Sequence, residues 1–330
     1  MPVLDTLGRP LEALRISVTD RCNLRCTYCM PKAAFANHAF LPHEELLTFE
    51  EIERLACIFI ELGVRKIRLT GGEPLVRAGI EELVRKLAAL PVELALSTNA
   101  ILLGRHAAAL REAGLRRLNI SLDAIDDSVF GTMNGMDAPA QDVLAGIDEA
   151  QARGFALKVN MVVQRGVNEK QVLPMARHFA LRKIPLRFIE FMDVGNSNHW
   201  RRDQVFSGAD ALALLQGEFA LEPVPGPASD TGRRYRCTRT GAEFGFVNSV
   251  SVPFCRDCNR LRLSADGKLF TCLFATKGHE LGKLVRSGAP NGEIAQAIRA
   301  VWTPREDRYS ELRATTAEGD PKIEMSYIGG

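Results

Sequence analysis

Three cysteines near the start of the chain have the number and spacing expected of ligands to an iron–sulfur cluster. Cys22, Cys26 and Cys29 stand four and three residues apart in RCNLRCTYCMP, directly after a short β-type run. Thiolates are the usual ligands of iron–sulfur clusters, in which each iron normally takes one cysteine. Three cysteines for four irons would leave one iron open to a small molecule. A zinc knuckle that borrows a distant histidine is the alternative, but structural zinc usually takes four ligands and a fourth is missing locally.

A second group of three cysteines lies in the last third of the chain. Cys255 and Cys258 form a CxxC pair, and Cys272 follows after thirteen residues in FCRDCNRLRLSADGKLFTCLF. Taken alone, this spacing fits a zinc site of three cysteines with His279 or His199 as the fourth ligand. The competing interpretation is a second cluster with an open iron. Two such clusters would suit an enzyme that holds a cofactor and a substrate at opposite ends of one cavity.

Cations spaced two residues apart on β-type runs indicate an anion site. In KIRLT, Lys66 and Arg68 share one strand face, and the apolar residues that alternate with them, Ile67 and Leu69, share the other. If the apolar face meets covering helices, both cations point into the interior, where a triphosphate would offset the cost of burying them. The alternative is that single cations form ordinary ion pairs with Glu190 or Asp123. The same two-residue spacing joins Lys158 to Asn160 and Arg260 to Arg262.

A nucleotide bound by this chain would be a substrate held by side chains. The P-loop pattern GxxxxGK[ST], which cradles the phosphates of an energy-supplying nucleotide, does not occur in the sequence. In RLNISLD, Asn119, Ser121 and Asp123 form a polar face on a strand that otherwise reads as buried. An inward polar stripe of this kind suits the hydroxyl groups of a nucleoside.

The elements that must position these residues alternate between strand and helix patterns from residue 12 to about 192. Repeated β–α units predict a parallel sheet covered by helices, and six of them suggest a partial barrel of the triosephosphate isomerase kind. The predicted class is therefore α/β, a partial (β/α)6 barrel over residues 1–200 and a C-terminal extension over 201–330 with the second cysteine group. The strands are predicted at 14–18, 66–70, 92–97, 117–122, 156–163 and 186–192.

The pattern changes after residue 200. The Pro- and Gly-rich stretch at 222–232 predicts a loop or linker. Two strand-like runs around an Asp-Gly turn predict a hairpin over 261–274, and a helix is expected near 291–302. The chain ends in Gly329-Gly330, and two residues without side chains could enter a narrow cavity.

Composition excludes several functional classes. The 330 residues carry 42 Lys and Arg against 40 Asp and Glu, and a net charge of +2 does not suit a surface that coats nucleic acid. No apolar run is long enough to span a membrane. The first fifteen residues have no apolar stretch of the signal-peptide kind, so we expect a cytoplasmic protein.

The first cysteine group resembles that of the radical S-adenosylmethionine superfamily. It has the superfamily's CxxxCxxC pattern with Tyr28 before the last cysteine, and GGEPL at 71–75 follows about 40 residues later. The resemblance implies that the open iron is chelated by the amino and carboxylate groups of S-adenosylmethionine. It also implies that the glycine-rich loop contacts the methionyl amine.

Further motifs resemble one family within this superfamily, the GTP 3′,8-cyclases of molybdenum-cofactor biosynthesis. They are CxxCNRLRL…ADGKL…CLF, ELLTFEEI (45–52), GGEPLVR, RFIEFMDVG (187–195) and the terminal SYIGG. The resemblance runs from about Arg15 to Gly330. Ala100 stands where the family more often has Gly, which concerns the geometry of the loop near Thr98, and Asn248 stands where Pro is expected; neither is a predicted ligand.

The family resemblance implies a radical mechanism with two 4Fe-4S clusters and S-adenosylmethionine as cofactors. Reductive cleavage of S-adenosylmethionine would give a 5′-deoxyadenosyl radical, which takes the 3′ hydrogen of the GTP ribose. The C3′ radical would add to C8 of guanine, and reduction would give 3′,8-cyclo-7,8-dihydro-GTP. Because the cofactor supplies this chemistry, no side chain is expected to act as a catalytic group.

The resemblance also implies residue roles, which are transferred here by matching motifs. S-adenosylmethionine is expected near Tyr28, Gly72, Ser121 and Met192. GTP is expected near Arg15, Lys66, Arg68, Thr98, Lys158, Arg187, Arg260 and Arg262, although the strand parity of Arg187 is opposite to that of Met192. The terminal pair, Gly329 and Gly330, is expected to reach the active site and help to position GTP.

The expected partners are GTP, a protein electron donor and, by hand-over of the product, the downstream cyclic pyranopterin monophosphate synthase. No nucleic acid or membrane is expected, and a homodimer is left open. Two rival functions compete with this one. The first is a different radical enzyme that modifies a peptide, and the second is a non-catalytic zinc-bound module that binds nucleic acid.

Overall fold

The parallel sheet expected from the six β–α units is present. The structure is a computed structural model that describes residues 2–226, 232–313 and 321–330. Within these ranges, twelve strands form a single sheet. They are β1 Ala13–Ser17, β2 Lys66–Thr70, β3 Glu93–Thr98, β4 Arg117–Ser121, β5 Ala156–Val163, β6 Leu186–Glu190, β7 Leu221–Val224, β8 Arg233–Cys237, β9 Glu243–Val247, β10 Arg260–Leu263, β11 Lys268–Phe270 and β12 His279–Glu280.

Helices connect the strands, and most of the longer ones cover the outer face of the sheet. Within the described residues, none of them is long and apolar enough to cross a lipid bilayer. They are α1 Lys32–Phe35, α2 Phe49–Glu61, α3 Ile80–Ala88, α4 Leu103–Glu112, α5 Asp127–Asn134, α6 Ala140–Ala152, α7 Val172–Leu181, α8 Gly208–Gln216, α9 Gly282–Arg286, α10 Asn291–Trp302, α11 Tyr309–Leu312 and α12 Met325–Ile328.

Strands β1 to β6 lie side by side in chain order and pair in parallel. The six observed strands match the predicted ones within two residues at each end. This arrangement confirms the predicted α/β class and partial barrel. The carboxyl ends of parallel strands meet at one edge, so the loop after β1, which carries the first cysteine group, and the GGEPL loop after β2 lie side by side.

The C-terminal extension continues the sheet at both ends. Strand β9 pairs in parallel with β6, and β10 pairs in parallel with β1. Each is followed outward by antiparallel strands, β8 and β7 at one end and β11 and β12 at the other. One sheet therefore passes through both predicted parts of the chain, and the boundary at residue 200 stays a prediction.

Alternation along the strands separates the core from the interior of the barrel. In β2, Ile67 and Leu69 are buried against the helices, and Arg68 between them is half-buried on the opposite face. The helices bury matching apolar stripes, and α2 begins with a capping box in which Thr48 and Glu51 satisfy each other's backbone N–H groups. The apolar core thus lies between sheet and helices, and the inner face is free for polar residues.

Predictions for the extension are confirmed except in one place. The hairpin forms with β10 and β11 as its strands, and α10 begins and ends where the helix near 291–302 was expected. The stretch at 222–232, expected to be a loop, begins instead with the end of β7, while residues 227–231 lie outside the described ranges. Strand β7 lies at the end of the sheet, where Pro223 costs no ladder hydrogen bond.

Candidate active site

A cavity of about 270 Å³ lies inside the partial barrel and is lined by both parts of the chain. The barrel contributes side chains from its strands and from the loops at their carboxyl ends, and the extension contributes the second cysteine group. Of the residues predicted to bind cofactor or substrate, the cavity is lined by Arg15, Tyr28, Arg68, Ser121, Arg187, Met192, Cys255, Cys258, Arg260, Arg262, Cys272 and Gly330.

The first cysteine loop forms part of the wall beside this cavity. Its thiols are half-buried and free of disulfides. Burial, with Glu73 nearby, raises the pKa of Cys22 to about 12, and burial also raises the pKa of Cys26 and Cys29. A metal that binds these thiols favours their ionised form despite burial, so three soft donors on one short loop fit an iron–sulfur cluster.

Tyr28 connects this loop to the floor of the cavity. Its hydroxyl donates to Asp123 Oδ2 at 2.8 Å, and Asp123 Oδ1 accepts from the backbone N–H of Val162 at 2.8 Å. Burial raises the pKa of Asp123 to about 6. The carboxylate at the carboxyl end of β4 therefore fixes the orientation of the aromatic ring that stands between two of the cysteines.

The GGEPL loop packs directly against the backbone that precedes Cys22. The N–H of Gly72 donates to the carbonyl oxygen of Thr19 at 2.8 Å. A Cβ atom at Gly72 would lie 2.3 Å from the carbonyl oxygen of Arg21, so only glycine permits this approach. Gly72 does not line the cavity itself. The loop lies beside the first cysteine group, as the family resemblance implies for a contact to S-adenosylmethionine.

The second cysteine group lines the cavity with all three of its thiols. Cys255 and Cys258 lie in the turn before β10, and Cys272 follows β11. Burial opposes ionisation of Cys258, but the neighbouring Arg260 and Arg305 guanidiniums outweigh it and lower the pKa of the thiol to about 6. Burial raises the pKa of Cys272 to about 12. Three thiols, one of them poised as a thiolate, fit a second cluster.

The histidines proposed as zinc ligands lie apart from these thiols. His199 and His279 are both exposed, and neither lines the cavity. Within the three described ranges, no group of three or more His, Cys, Asp or Glu side chains is arranged to hold a single metal ion.

Three arginines stand abreast on neighbouring strands. Arg15 on β1 is paired in register with Arg68 on β2 and with Arg262 on β10. Burial together with the other guanidiniums holds the pKa of Arg15 well below its usual value, and lowers the pKa of Arg68 and of Arg262 to about 10. In the part of the chain that the structure describes, none of the three, nor Arg260, forms an ion pair. Their mutual repulsion favours a bound polyanion.

The two acids that could have neutralised these cations are engaged elsewhere. Glu190 Oε2 accepts from the backbone N–H groups of Val250 and Ser251 at 2.7 and 2.9 Å, and Oε1 accepts from Gly208 N at 3.0 Å. Asp123 is held by Tyr28, as described above. The interpretation of the arginines as ordinary ion pairs with Glu190 or Asp123 is therefore wrong.

Arg187 faces the cavity although its strand parity argued against it. Strand β6 ends at Glu190, so Met192 belongs to the following segment and parity no longer relates the two residues. Arg187 Nε donates to Asn160 Oδ1 at 2.9 Å and its Nη2 to Asn119 Oδ1 at 3.0 Å. Gly245 on the adjacent β9 leaves room for this side chain, since a Cβ there would lie 2.8 Å from Arg187 Cγ.

Three of the residues predicted to contact GTP lie outside the cavity lining. Lys66 and Lys158 are on the inner face of their strands, two residues before Arg68 and Asn160, but they are exposed at the amino-terminal ends. Thr98 is buried, and its hydroxyl donates to Glu73 Oε1 at 2.8 Å. Adjacent strand residues point to opposite faces, so Ser97 lines the cavity in place of Thr98.

The loop after Thr98 keeps its turn despite the alanine that stands where glycine was expected. Ala100 has φ of 62°, the left-handed region that glycine adopts without strain. The N–H of Ala100 donates to Thr98 Oγ1 at 2.9 Å, which holds the turn. Sequence reasoning overlooked Ser97 and Asn160 as lining residues, although Asn160 had been marked by its spacing from Lys158.

The C-terminal tail enters the cavity. Gly329 is buried with φ of 77°, and a Cβ there would lie 2.1 Å from Thr70 Oγ1. Its carbonyl oxygen accepts from Arg262 Nη1, and Gly330 lines the cavity. The backbone of the tail therefore passes through a space at Gly329 that is too narrow for a side chain.

The tail is anchored on two sides before it enters. On one side, Glu324 accepts from Asn196 N at 3.0 Å and Ser197 Oγ at 3.1 Å, in the segment after β6. On the other side, the Tyr327 hydroxyl donates to Asp266 Oδ2 at 2.5 Å, in the β10–β11 turn. These anchors were not predicted, because they join parts of the chain that no sequence spacing relates.

Comparison with known families agrees with this geometry. Residues 16–179 match the Radical SAM superfamily model, and residues 184–311 match the Molybdenum Cofactor Synthesis C model. Among solved structures, Streptococcus suis SuiB bound to S-adenosylmethionine is 16% identical with a TM-score of 0.63, over 88% of this chain and 68% of that one. The same protein bound to its precursor peptide SuiA is 15% identical with a TM-score of 0.65, over 97% and 76%. These likenesses concern the fold.

Curated relatives extend over the whole chain. A GTP 3′,8-cyclase of Acidothermus cellulolyticus is 48% identical over 100% of this chain and 99% of its own length. A GTP 3′,8-cyclase of Staphylococcus saprophyticus is 46% identical over 99% of each chain. With both cysteine groups and the arginines gathered around one cavity, the chain belongs to the GTP 3′,8-cyclase family of the radical S-adenosylmethionine superfamily.

Proposed function

We infer that this chain is a radical S-adenosylmethionine enzyme that cyclises GTP to 3′,8-cyclo-7,8-dihydro-GTP, the first step of molybdenum-cofactor biosynthesis. One observation carries the inference to GTP. Arg15, Arg68, Arg260 and Arg262 converge on a cavity, without a carboxylate partner in the described ranges, beside three thiols of the extension. A triphosphate supplies the negative charge that this arrangement lacks, and guanidiniums can bind it through paired hydrogen bonds.

Two sites for cofactors follow from the thiols. Cys22, Cys26 and Cys29 would hold the first 4Fe-4S cluster, and the second group, Cys255, Cys258 and Cys272, would hold another. When bound, the first cluster would supply the electron for reductive cleavage of S-adenosylmethionine, and this cofactor chemistry would remove the ribose 3′ hydrogen of GTP. Tyr28, Gly72, Ser121 and Met192 are proposed to surround S-adenosylmethionine.

The cations at the amino-terminal strand ends extend the proposed triphosphate site. Lys66 and Lys158 lie on the same strand faces as Arg68 and Asn160, two residues closer to the amino-terminal end of each strand. We place GTP with its phosphates toward these strand faces and its base toward the second cysteine group. The role of Thr98 would then be indirect: its hydroxyl holds Glu73, and Ser97 faces the cavity.

Apolar residues of the wall keep water away from the reacting atoms. Phe254, Phe274, Val194 and Met325 line the cavity together with the cysteines. Exclusion of water from a reacting centre limits side reactions and strengthens the electrostatic contacts inside the site. Gly329 and Gly330 close the same space from the side of β10, and we propose that they hold GTP in the orientation from which its 3′ hydrogen is taken.

The product formed under anaerobic conditions tests the function. The reconstituted protein should convert GTP, S-adenosylmethionine and a strong reductant into 3′,8-cyclo-7,8-dihydro-GTP, methionine and 5′-deoxyadenosine, as measured by mass spectrometry. A peptide supplied instead of GTP should give no modified product. Cleavage of S-adenosylmethionine with GTP bound but unchanged would contradict the proposal and favour the rival peptide-modifying enzyme.

The proposal also covers the location of the enzyme, its electron donor and the protein that receives its product. We expect a cytoplasmic enzyme that receives electrons from a donor protein and hands its product to cyclic pyranopterin monophosphate synthase. The division of the chain at residue 200 is part of the same proposal, and the oligomeric state is left open. A pull-down with the synthase tests the hand-over, and the molar mass in solution gives the oligomeric state.

A further inference from the structure

Two buried arginines outside the anion site hold the backbone of the second cysteine group. Arg9 Nη1 donates to the carbonyl oxygen of Cys255 at 2.7 Å. Arg305 Nη1 donates to the carbonyl oxygen of Cys258 at 2.7 Å, and its Nε donates to that of Thr271 at 3.1 Å. The third cysteine of the group directly follows Thr271. At or next to each of the three cysteines, a backbone carbonyl oxygen therefore accepts a hydrogen bond from one of the two guanidiniums.

A single carboxylate joins the two guanidiniums. Asp5 Oδ2 accepts from Arg9 Nε at 2.5 Å and from Arg305 Nη1 at 3.2 Å. Arg9, Arg305 and Asp5 are only 3%, 4% and 7% exposed. The Nε1 of Trp302 donates to the carbonyl oxygen of Arg9 at 3.2 Å, and its ring lies 4.5 Å from the guanidinium of Arg305. Asp307 Oδ2, on a partly exposed side chain, also contacts Arg305 Nε at 3.2 Å.

This network joins the two ends of the chain. Asp5 and Arg9 precede β1 and lie outside both ranges that match family models, whereas Arg305 follows α10. Neither guanidinium lines the cavity, so the binding of GTP and S-adenosylmethionine does not account for them. Burying charged groups costs several kcal/mol per ion unless hydrogen bonds compensate. Here the hydrogen bonds go to the carbonyls of the cysteine-bearing segments.

We propose that Asp5, Arg9 and Arg305 are positioning residues for the second iron–sulfur cluster. The inference rests on the second cluster of the proposed function. The thiols come from two separate segments, the turn before β10 and the end of β11, and the network ties both segments to the same pair of guanidiniums. Such outer contacts orient ligands, and charge and hydrogen bonding near a cluster set its reduction potential.

The test counts irons in a full-length chain that can hold only the second cluster. In the background Cys22→Ala, Cys26→Ala, Cys29→Ala, anaerobic reconstitution should give about four irons per chain. Adding Arg305→Gln should lower this number by at least half. Any cluster that still forms should have a lower reduction potential, because reduction adds negative charge and the variant removes a nearby positive one. Arg305→Lys keeps the charge and should keep the potential closer to that of the background.

Two further variants separate positioning from general stability. Asp5→Asn preserves shape but removes the shared carboxylate, and it should lower iron content in the same direction as Arg305→Gln. Arg54→Gln is the matched control: Arg54 on α2 also donates to a backbone carbonyl, that of Ala289 in the loop between α9 and α10, a segment that carries no cysteine. It should leave iron content unchanged.

Full iron content and an unchanged potential in both Arg305→Gln and Asp5→Asn would overturn the proposal. An equal loss of both clusters when the two substitutions are placed in the otherwise unchanged chain would also overturn it, because that result means general unfolding. A wild-type chain with about eight irons that makes no cyclic product would contradict the proposed function and leave this inference standing.

Discussion

At the scale of single residues, the arginines of the inner face carry the proposed specificity for a triphosphate. Arg68 and Arg260 are half-buried, and the pKa of Arg68 is lowered to about 10 by burial and by the other guanidiniums. The repulsion that lowers it is relieved when a polyanion binds. Each arginine should therefore bind phosphate more strongly than an exposed cation would.

Arg68→Ala or Arg260→Ala should each weaken GTP binding by about 1.5–3 kcal/mol, the usual worth of a hydrogen bond to a charged group. Calorimetric titration of the reconstituted protein measures it. Guanosine, which has no phosphates, should lose much less affinity. Arg177→Ala serves as the control, since Arg177 pairs with Glu218 on the outer surface and should not affect GTP. Equal losses for GTP and guanosine would assign the arginines to the fold alone.

The first cysteine group makes a second prediction at this scale. Replacing Cys22, Cys26 and Cys29 by Ala should leave about four of eight irons and abolish cleavage of S-adenosylmethionine. Iron and sulfide analysis and release of 5′-deoxyadenosine measure the two effects. The matching variant of the second group should lose the other irons and all cyclised product while retaining slow cleavage. Cleavage by the first variant would contradict the assignment.

At the scale of elements, the C-terminal tail depends on contacts made by two distant segments. The loop after β6 holds Glu324, the β10–β11 turn holds Tyr327, and Gly329 and Gly330 follow directly. Ordering a tail costs about 1–2 kcal/mol per residue, so these anchors are needed to keep the glycines in the cavity. The anchors position the tail, and the tail is proposed to position GTP.

Deleting Gly329 and Gly330 should keep both clusters and near-normal affinity for GTP but largely abolish the cyclic product. Glu324→Ala combined with Tyr327→Phe should reproduce this effect in part, because the glycines remain but lose both anchors. Product formation and GTP affinity are measured on the same samples, with Leu181→Ala, an exposed residue at the end of α7, as the control. A truncated enzyme that cyclises GTP at the full rate would show that the tail has no role.

At the scale of the whole molecule, Asp193 ties the barrel to the extension. Its carboxylate binds Lys322 Nζ at 2.8 Å and Arg313 Nε at 2.9 Å, and it accepts from the Tyr309 hydroxyl at 2.5 Å. Burial disfavours the charged form, but these three partners outweigh it and lower the pKa of Asp193. A carboxylate with a lowered pKa stabilises the fold above its unfolded-state value of about 3.9, and this is lost as pH falls through the lower folded value.

Asp193→Asn should therefore lower the free energy of unfolding at pH 6–7 by about 1–3 kcal/mol, the range for a charged hydrogen-bonded group that loses its charge. The difference from wild type should shrink below about pH 4, where Asp193 begins to be protonated in the unfolded state, and it should disappear as pH falls through the lower pKa of the folded state. Denaturant unfolding at several pH values measures it. A difference that is constant down to pH 3 would mean that the charge of Asp193 contributes nothing.

The sequence by itself determined the chemistry and the succession of elements. Cysteine spacing predicted both ligand groups, and alternation identified β1 to β6, since strand periodicity and short motifs are local properties of the chain. Even the two-residue spacing of Arg260 and Arg262 indicated the face on which they lie. These features needed no knowledge of what packs against what.

Only the tertiary structure decided which residues meet. It placed β10 beside β1, so that Arg262, Arg15 and Arg68 stand in one row, and it turned Ser97 rather than Thr98 to the cavity. It also brought Asp5 to Arg305 across 300 residues. Such contacts depend on strand order, register and loop packing between distant segments, which local spacing does not encode.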